Sequence, residues 1–321
     1  MVTPSPGAML KPNPNAQDIV FKEKFVEQYR ELTDWDVFKK YSLSFLRKSI
    51  RVNTIKSNEE HVRELMPDWE FTSIPWCKEG FWVAHKKGRL DIGNTIPHAL
   101  GYYYVQEAAS MIPPLVLQPD EGDIVLDMAA APGSKTSQMV AMMNNTGIMV
   151  ANDISHERLA ALGINLTRCG STSHVMTKMR GERISGSFDK VLLDAPCSGT
   201  GTIRKSLKTI AMWNPNMIGR LGGIQKRLLD TAYRLVKPGG TVVYSTCSSE
   251  PVENEGVIDY FLDRHPDAKL GDIDLNLKRS EAVTSFGGKE YNPEVHKCLR
   301  LWPQDNDTEG FFVTKITKPH S

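Results

Sequence analysis

The stretch VLDMAAAPGSKTSQM, residues 125–139, decides the fold. Its branched apolar start reads as a buried strand ending at Asp127. Small residues around Gly133 read as a tight turn, and helical periodicity begins near Ser134. The same rhythm runs through the rest of the chain. IVLDMA (124–129), IMVAND (148–153), HVMTKM (174–179), KVLLDA (190–195) and TVVYST (241–246) are short apolar runs, with helical segments at 134–144, 156–169 and 217–236 between most of them. Strands alternating with helices build βαβ units around a buried parallel sheet. Residues 95–321 are therefore expected to form one Rossmann-like α/β domain. EGFFVTKITK (309–318) supplies a late strand, expected antiparallel at the sheet edge.

Upstream the pattern changes. KSIRVNTI (48–55) and EGFWVAHK (79–86) read as strands and NEEHVRELM (58–66) as a capped helix, while Phe21, Phe25, Val26, Tyr29 and Leu32 share one helical face. A small α+β domain is expected over 17–94, behind a flexible lead-in at 1–16 that carries four prolines. Net charge is only +1, so global charge selects no partner, although residues 1–90 carry 15 Lys/Arg against 12 Asp/Glu. The five cysteines are scattered and lack a Cys-x-x-Cys pair, which argues for free thiols in a reducing compartment. The eight histidines have no metal spacing, so no metal is expected. No apolar run is long enough to span a membrane and the N-terminus lacks the apolar core of a signal peptide. A cytoplasmic protein is expected.

The 125–139 stretch also carries chemistry. Turn amides and a helix N-terminus suit an anion, Gly133 permits close backbone approach, and Lys135 can pair with a carboxylate or phosphate. The spacing matches neither the P-loop nor the G-x-G-x-x-G fingerprint, which argues against ATP and NAD. Asp153 ends the next strand about 20 residues on, where a carboxylate in a doubly wound fold bonds ribose hydroxyls. A nucleoside cofactor with a small anionic tail is implied, and S-adenosylmethionine fits.

Two cysteines follow later strands. Cys197 lies in LLDAPCSGTG (192–201), beside Asp194, and Cys247 lies in YSTCSSEPVENEG (244–256). Both fall at strand carboxyl ends, the ligand-binding edge of an open parallel sheet. Carbon-5 of cytosine is a poor nucleophile until a thiolate adds at carbon-6, with a proton donor or strong hydrogen bond at ring nitrogen 3. A thiolate, an acidic partner and a methyl donor in one cleft meet that requirement. Position alone favours Cys197 as nucleophile, since Asp194 is beside it, and leaves Cys247 open.

RVNTIK, YYVQEAAS, LDMAAAPGSKT, VANDIS, FDKVLLDAPCSGTG, LVKPGGTVVYSTCS, VENEGVI and TEGFFVTKI occur in this order over residues 47–316. Together they resemble the RNA cytosine-5 methyltransferases of the Nop/Sun group. The resemblance implies that Cys247 is the nucleophile, that Cys197 assists product release, and that Asp194 lies between cofactor and base. It also implies that Ala129, Ala130, Ala131, Pro132, Gly133, Ser134, Lys135 and Asp153 hold S-adenosylmethionine. The family often has an adenine-contacting acid where this chain has Arg180, so Arg180 is expected to serve through its backbone, or Met179 to pack on the ring. Arg204 and Lys205 are candidates for RNA phosphates, Tyr102 to Tyr104 for packing, and Trp213 and Trp302 for the core. VENEG (252–256) is expected to start a helix whose positive end suits its acids. The implied substrate is RNA, most readily tRNA, with ribosomal RNA as runner-up. A non-catalytic RNA-binding assembly factor of the same fold is the contrasting alternative, against which the intact Cys247, Cys197, Asp194 and Lys135 stand.

Overall fold

Residues 10–320 are described by the structure, a computed structural model. The five apolar runs form strands Ile124–Asp127, Ile148–Asn152, His174–Thr177, Phe188–Asp194 and Val236–Thr246, which pair in parallel. Alternate residues of these strands serve opposite faces. Val125, Leu192 and Val243 pack with Ile112 and Met139 on one side. Leu126, Leu193 and Tyr244 pack with Leu229 and Phe261 on the other. Both faces are covered, which is why the runs read as continuously apolar.

Across the sheet the strands run 174–177, 148–152, 124–127, 188–194, 236–246, 311–317 and 269–271. The chain progresses outward in both directions from Ile124–Asp127. The crevice at its carboxyl end is thus the topological switch point, where ligands of such sheets bind. Strand Phe311–Thr317 is antiparallel as expected, but it is not an edge. Lys269–Gly271 and Leu299–Leu301 both pair with it, which leaves it internal.

A second, antiparallel sheet has the order Trp69–Ile74, Cys77–His85, Ser49–Val52 and Tyr103–Val105. Its last strand lies beyond the boundary expected at residue 94, so that boundary is corrected: the small sheet is complete only after Val105. Helices Glu23–Leu32 and Trp35–Ser42 also depart from expectation. Phe21, Phe25, Tyr29 and Phe38 join a cluster with Ile203, Ile210, Trp213, Ile218 and Trp302, so these helices cover the large domain instead of the small sheet. The amphipathic pattern showed which helix face is buried, but not which partner buries it. Of the expected lead-in, residues 1–9 lie outside the described residues. Residues 10–16 are anchored, with Pro12 bridging to Ser44 and Asn13 N donating to Leu43 O at 2.9 Å.

Candidate active site

Gly133 caps helix Ser134–Met142 with φ of +105°, and a Cβ there would lie 2.9 Å from Leu162 Cδ1. The turn thus requires glycine twice over, for conformation and for space. Thr136 Oγ1 donates to Asp127 Oδ2 at 2.8 Å, while the buried Asp127 Oδ1 has no protein donor. Burial pushes the Asp127 carboxyl up to about 7; Thr136 opposes the shift and the nearby Asp194 adds to it.

Asp153 is buried at the end of the neighbouring strand. Its Oδ1 accepts from Ser155 N at 2.9 Å, and Oδ2 lies 3.3 Å from Arg158 Nη1 without a hydrogen bond. Asn152, which the motif reading passed over, ties this edge together. Its Nδ2 donates to Met128 O at 3.0 Å and Met179 O at 3.1 Å, and its Oδ1 accepts from Met179 N at 2.9 Å. The Arg180 guanidinium does not join the cluster. It is more than half exposed and faces Glu182 at 3.6 Å, so the backbone of 179–180 is what the fold turns toward Asn152.

Across the switch point, Lys135 Nζ donates to Asp194 Oδ2 at 2.7 Å, and Ser245 Oγ donates to Asp194 Oδ1 at 2.8 Å. Burial works against the Lys135 charge, but Asp194 more than offsets it and the ammonium pKa is raised. Cys247 also favours that ammonium. The two candidate thiols meet: Cys197 Sγ and Cys247 Sγ are 3.5 Å apart. The contact with Cys247, then burial, then Cys247, Glu253 and Asp194 as charges, push the Cys197 thiol well above the usual range.

The VENEG stretch is different from its expected role. Helix Glu255–Arg264 does begin there, but the side chains turn inward. Glu253 accepts from Ser198 and Ser248, the residues after each cysteine. Asn254 Nδ2 donates to Ser248 O at 2.9 Å. Glu255 forms a buried pair with Arg300, whose Nη1 donates to Ser249 O at 2.9 Å. Glu250 accepts from Gln28, Tyr29 and Trp213. The available signal was a set of acids directly after a strand-end cysteine and interleaved with Val252, Val257 and Ile258, an apolar setting unlike a solvated helix start.

Arg204 is corrected. It is 5% exposed, pairs with Asp307 at 2.7 Å and donates to Phe45 O at 2.7 Å and Thr308 O at 3.1 Å, so it staples the domains and offers no charge to a phosphate. Lys205 stays exposed. Tyr103 and Tyr104 are packed and Trp213 and Trp302 are core, as expected.

Comparison with known proteins decides what this site belongs to. The profile of the family described as 16S rRNA methyltransferase RsmB/F matches residues 114–317, and that of the N-terminal domain of 16S rRNA methyltransferase RsmF matches residues 21–108. The chain belongs to the RsmB/F family of RNA cytosine-5 methyltransferases. Among relatives, a tRNA (cytosine(49)-C(5))-methyltransferase of Pyrococcus abyssi is 45% identical over 92% of this chain and 96% of its own length. A ribosomal RNA small subunit methyltransferase F of Shewanella sp. is 41% identical over 86% of this chain, which spans only 57% of that relative. The structure of a methyltransferase homolog protein from Pyrococcus horikoshii aligns with a TM-score of 0.79 and 34% identity, covering 92% of this chain and 99% of that one. NSun6 from the same organism, with a TM-score of 0.81 at 22% identity over 94% of this chain and 99% of its own, supports the fold. An RNA cytosine-5 methyltransferase of this family is an enzyme of S-adenosylmethionine-dependent methyl transfer.

Proposed function

We propose that this RsmB/F family enzyme methylates carbon-5 of a cytosine in tRNA, with Cys247 as nucleophile and Cys197 as the thiol that acts in release. The pairing of the two thiols at 3.5 Å beside the Lys135–Asp194 ion pair carries this reading. The choice of tRNA rests on the 45% identity to the P. abyssi enzyme, matched over 96% of its length.

The residues present fit S-adenosylmethionine. Asp153 Oδ2 and Asp127 Oδ1 are buried acceptors without a protein hydrogen bond at the ends of neighbouring strands, and the turn at Ala129 to Lys135 ends in a helix N-terminus. Asp153 would take the ribose hydroxyls, and Arg180 would contribute only backbone. S-adenosylmethionine, when bound, supplies the methyl group.

The remaining chemistry belongs to the chain. Cys247, beside the Lys135–Asp194 ion pair, adds as a thiolate to carbon-6 of the base and makes carbon-5 nucleophilic. Asp194, oriented by Lys135 and Ser245, faces the base edge, where a proton carried by its carboxyl or by ring nitrogen 3 makes the hydrogen bond that stabilises the addition. Cys197 Sγ, 3.5 Å from Cys247 Sγ, is adjacent to the carbon–sulfur bond, which breaks after methyl transfer as a base takes the carbon-5 proton and the Cys247 sulfur leaves. The small sheet and the exposed Lys205 contribute RNA contacts. No helix of the described residues is long and apolar enough to cross a membrane, in keeping with work on cytoplasmic RNA.

The test is methylation of tRNA transcripts and of small-subunit ribosomal RNA by the purified protein, read by bisulfite sequencing. A protected cytosine in tRNA is expected. Modification of ribosomal RNA alone would overturn the substrate, and modification of neither would overturn the activity.

A further inference from the structure

Ser198 and Ser248 each follow one of the two cysteines, and both reach the same buried side chain. Glu253 Oε1 accepts from Ser198 N at 2.9 Å and from Gln225 Nε2 at 3.1 Å. Its Oε2 accepts from Ser248 Oγ at 2.5 Å and from Ser198 Oγ. Gln225, on helix Pro215–Leu235, also donates to Pro196 O at 2.9 Å, the residue before Cys197. Tyr244 OH donates to the Glu253 main-chain carbonyl at 2.5 Å, which anchors the acid to the strand leading into Cys247. Glu253 is fully buried, and all four side-chain contacts are donors toward it. The loops come from strands 188–194 and 236–246; besides Glu253 they are joined by Ser249 N donating to Thr200 Oγ1 at 2.9 Å and by Gly201 N donating to Cys247 O at 3.0 Å. Ser198 Oγ to Ser248 Oγ at 3.2 Å and Thr200 Oγ1 to Ser248 Oγ at 3.2 Å belong to the same knot.

We propose that Glu253 is a positioning residue that sets the gap between the two catalytic thiols by bonding the residue after each of them. The inference rests on the two-thiol reading above and adds to it a single shared brace. Without that brace Ser198 and Ser248 lose their common anchor, so the segments carrying the two sulfurs can shift between the remaining ties, Gly201 N to Cys247 O at 3.0 Å and Ser249 N to Thr200 Oγ1 at 2.9 Å. A displacement of about 1 Å at a reacting centre costs up to ~100-fold in rate. Ground-state binding of cofactor and RNA, made by other residues, is unaffected.

The gap can be read directly with phenylarsine oxide. Two thiols each form an arsenic–sulfur bond and their protons leave with the arsenical oxygen as water, so no oxidant or reductant is required. Cys77, Cys169 and Cys298 are buried, which leaves Cys197 and Cys247 as the reactive pair. The full-length wild type is expected to take up one arsenical with loss of both thiols, by intact mass and peptide mapping. Glu253→Ala is expected to slow bridging and to lower kcat by at least ~10-fold, with S-adenosylhomocysteine affinity and the KM for RNA within about twofold of wild type. Glu253→Gln keeps one acceptor, and the two serine hydroxyls can turn to accept from its amide, so it should restore most of both. Should Glu253→Ala fail to fold, Ser198→Ala and Ser248→Ala each remove one donor and should each slow bridging. Unchanged bridging in all these variants, a fall in cofactor affinity in step with kcat, or a wild type that is not bridged would overturn the proposal. Bridging that depends on Glu253 in a protein that methylates no RNA would leave the brace standing and sink the functional reading. Normal methylation with bridging indifferent to Glu253 does the reverse.

Discussion

The two cysteine loops arrive at the same point but are held differently. The Cys197 loop is tied by Ser198 to Glu253 and by Pro196 O to Gln225, with Gly199 in the left-handed region at φ of +70°. Two bonds tie the loops to each other, and the Cys247 loop has further anchors of its own. Gly201 N donates to Cys247 O at 3.0 Å, Asn254 holds Ser248 O, Arg300 holds Ser249 O, and Ser249 N donates to Thr200 Oγ1 at 2.9 Å. Glu250 then anchors the loop to Tyr29 and Trp213. Gly201 itself is pressed so closely that a Cβ would lie 2.3 Å from Gly310 O. The difference fits the two tasks. An attacking sulfur must be held in a near-attack geometry. A sulfur that acts once the covalent bond exists needs only to be near it.

The strongest way to break this comparison is to remove each sulfur. Cys247→Ala should abolish methylation and form no adduct. Cys197→Ala should accumulate a protein–RNA adduct that survives denaturation, and the double variant should form none. A slow-migrating band from Cys247→Ala alone would reverse the roles.

Loosening the better-held loop comes next. Arg300→Ala strands the buried Glu255 and frees Ser249 O, so unfolding free energy should fall by roughly 3–5 kcal/mol, measured by urea denaturation. A loss under 1 kcal/mol would mean that the pair does not fasten the loop.

Asp153 lies outside both loops and sharpens the contrast. Asp153→Ala should weaken S-adenosylhomocysteine binding by about 1.5–3 kcal/mol, or ~10- to 150-fold, by calorimetry, and leave the partition between adduct and product unchanged.

The smallest effect is one of pH. The folded Asp127 carboxyl sits at about 7, above its ordinary value of 3.8. An acid whose folded pKa is raised contributes stability in full below its ordinary value of 3.8 and loses it as pH climbs from there to about 7. Ligand binding has the opposite sign. A donor from the cofactor to Oδ1 favours the ionised form, so affinity should rise with pH through about 7 and level off above it. Asp127→Asn should flatten the profile, while the behaviour of the cysteines stays as in wild type.

Most strands of the large sheet were legible because each buried strand is a short apolar run, and the turn at 129–135 because small residues there admit few alternatives. Strand Tyr103–Val105 was missed since three residues carry too little pattern, and Arg204 was misread since a charged residue in a loop usually faces water. The proposal that Cys247 is the nucleophile rests on resemblance, because both cysteines occupy equivalent strand ends.

The amino-acid sequence by itself determined the alternation of strands and helices, the tight turn at Gly133, the strand-end acids and the presence of two thiols, all of which depend on residues close along the chain. Tertiary structure decided that Cys197 and Cys247, 50 residues apart, come within 3.5 Å. It decided that Tyr29 reaches Glu250 across 221 residues, and that the acids of VENEG turn inward to bind the cysteine loops. Periodicity reports that a face is buried, and burial of a polar group demands a partner. Which partner answers depends on where the folded chain brings distant backbone and side chains together.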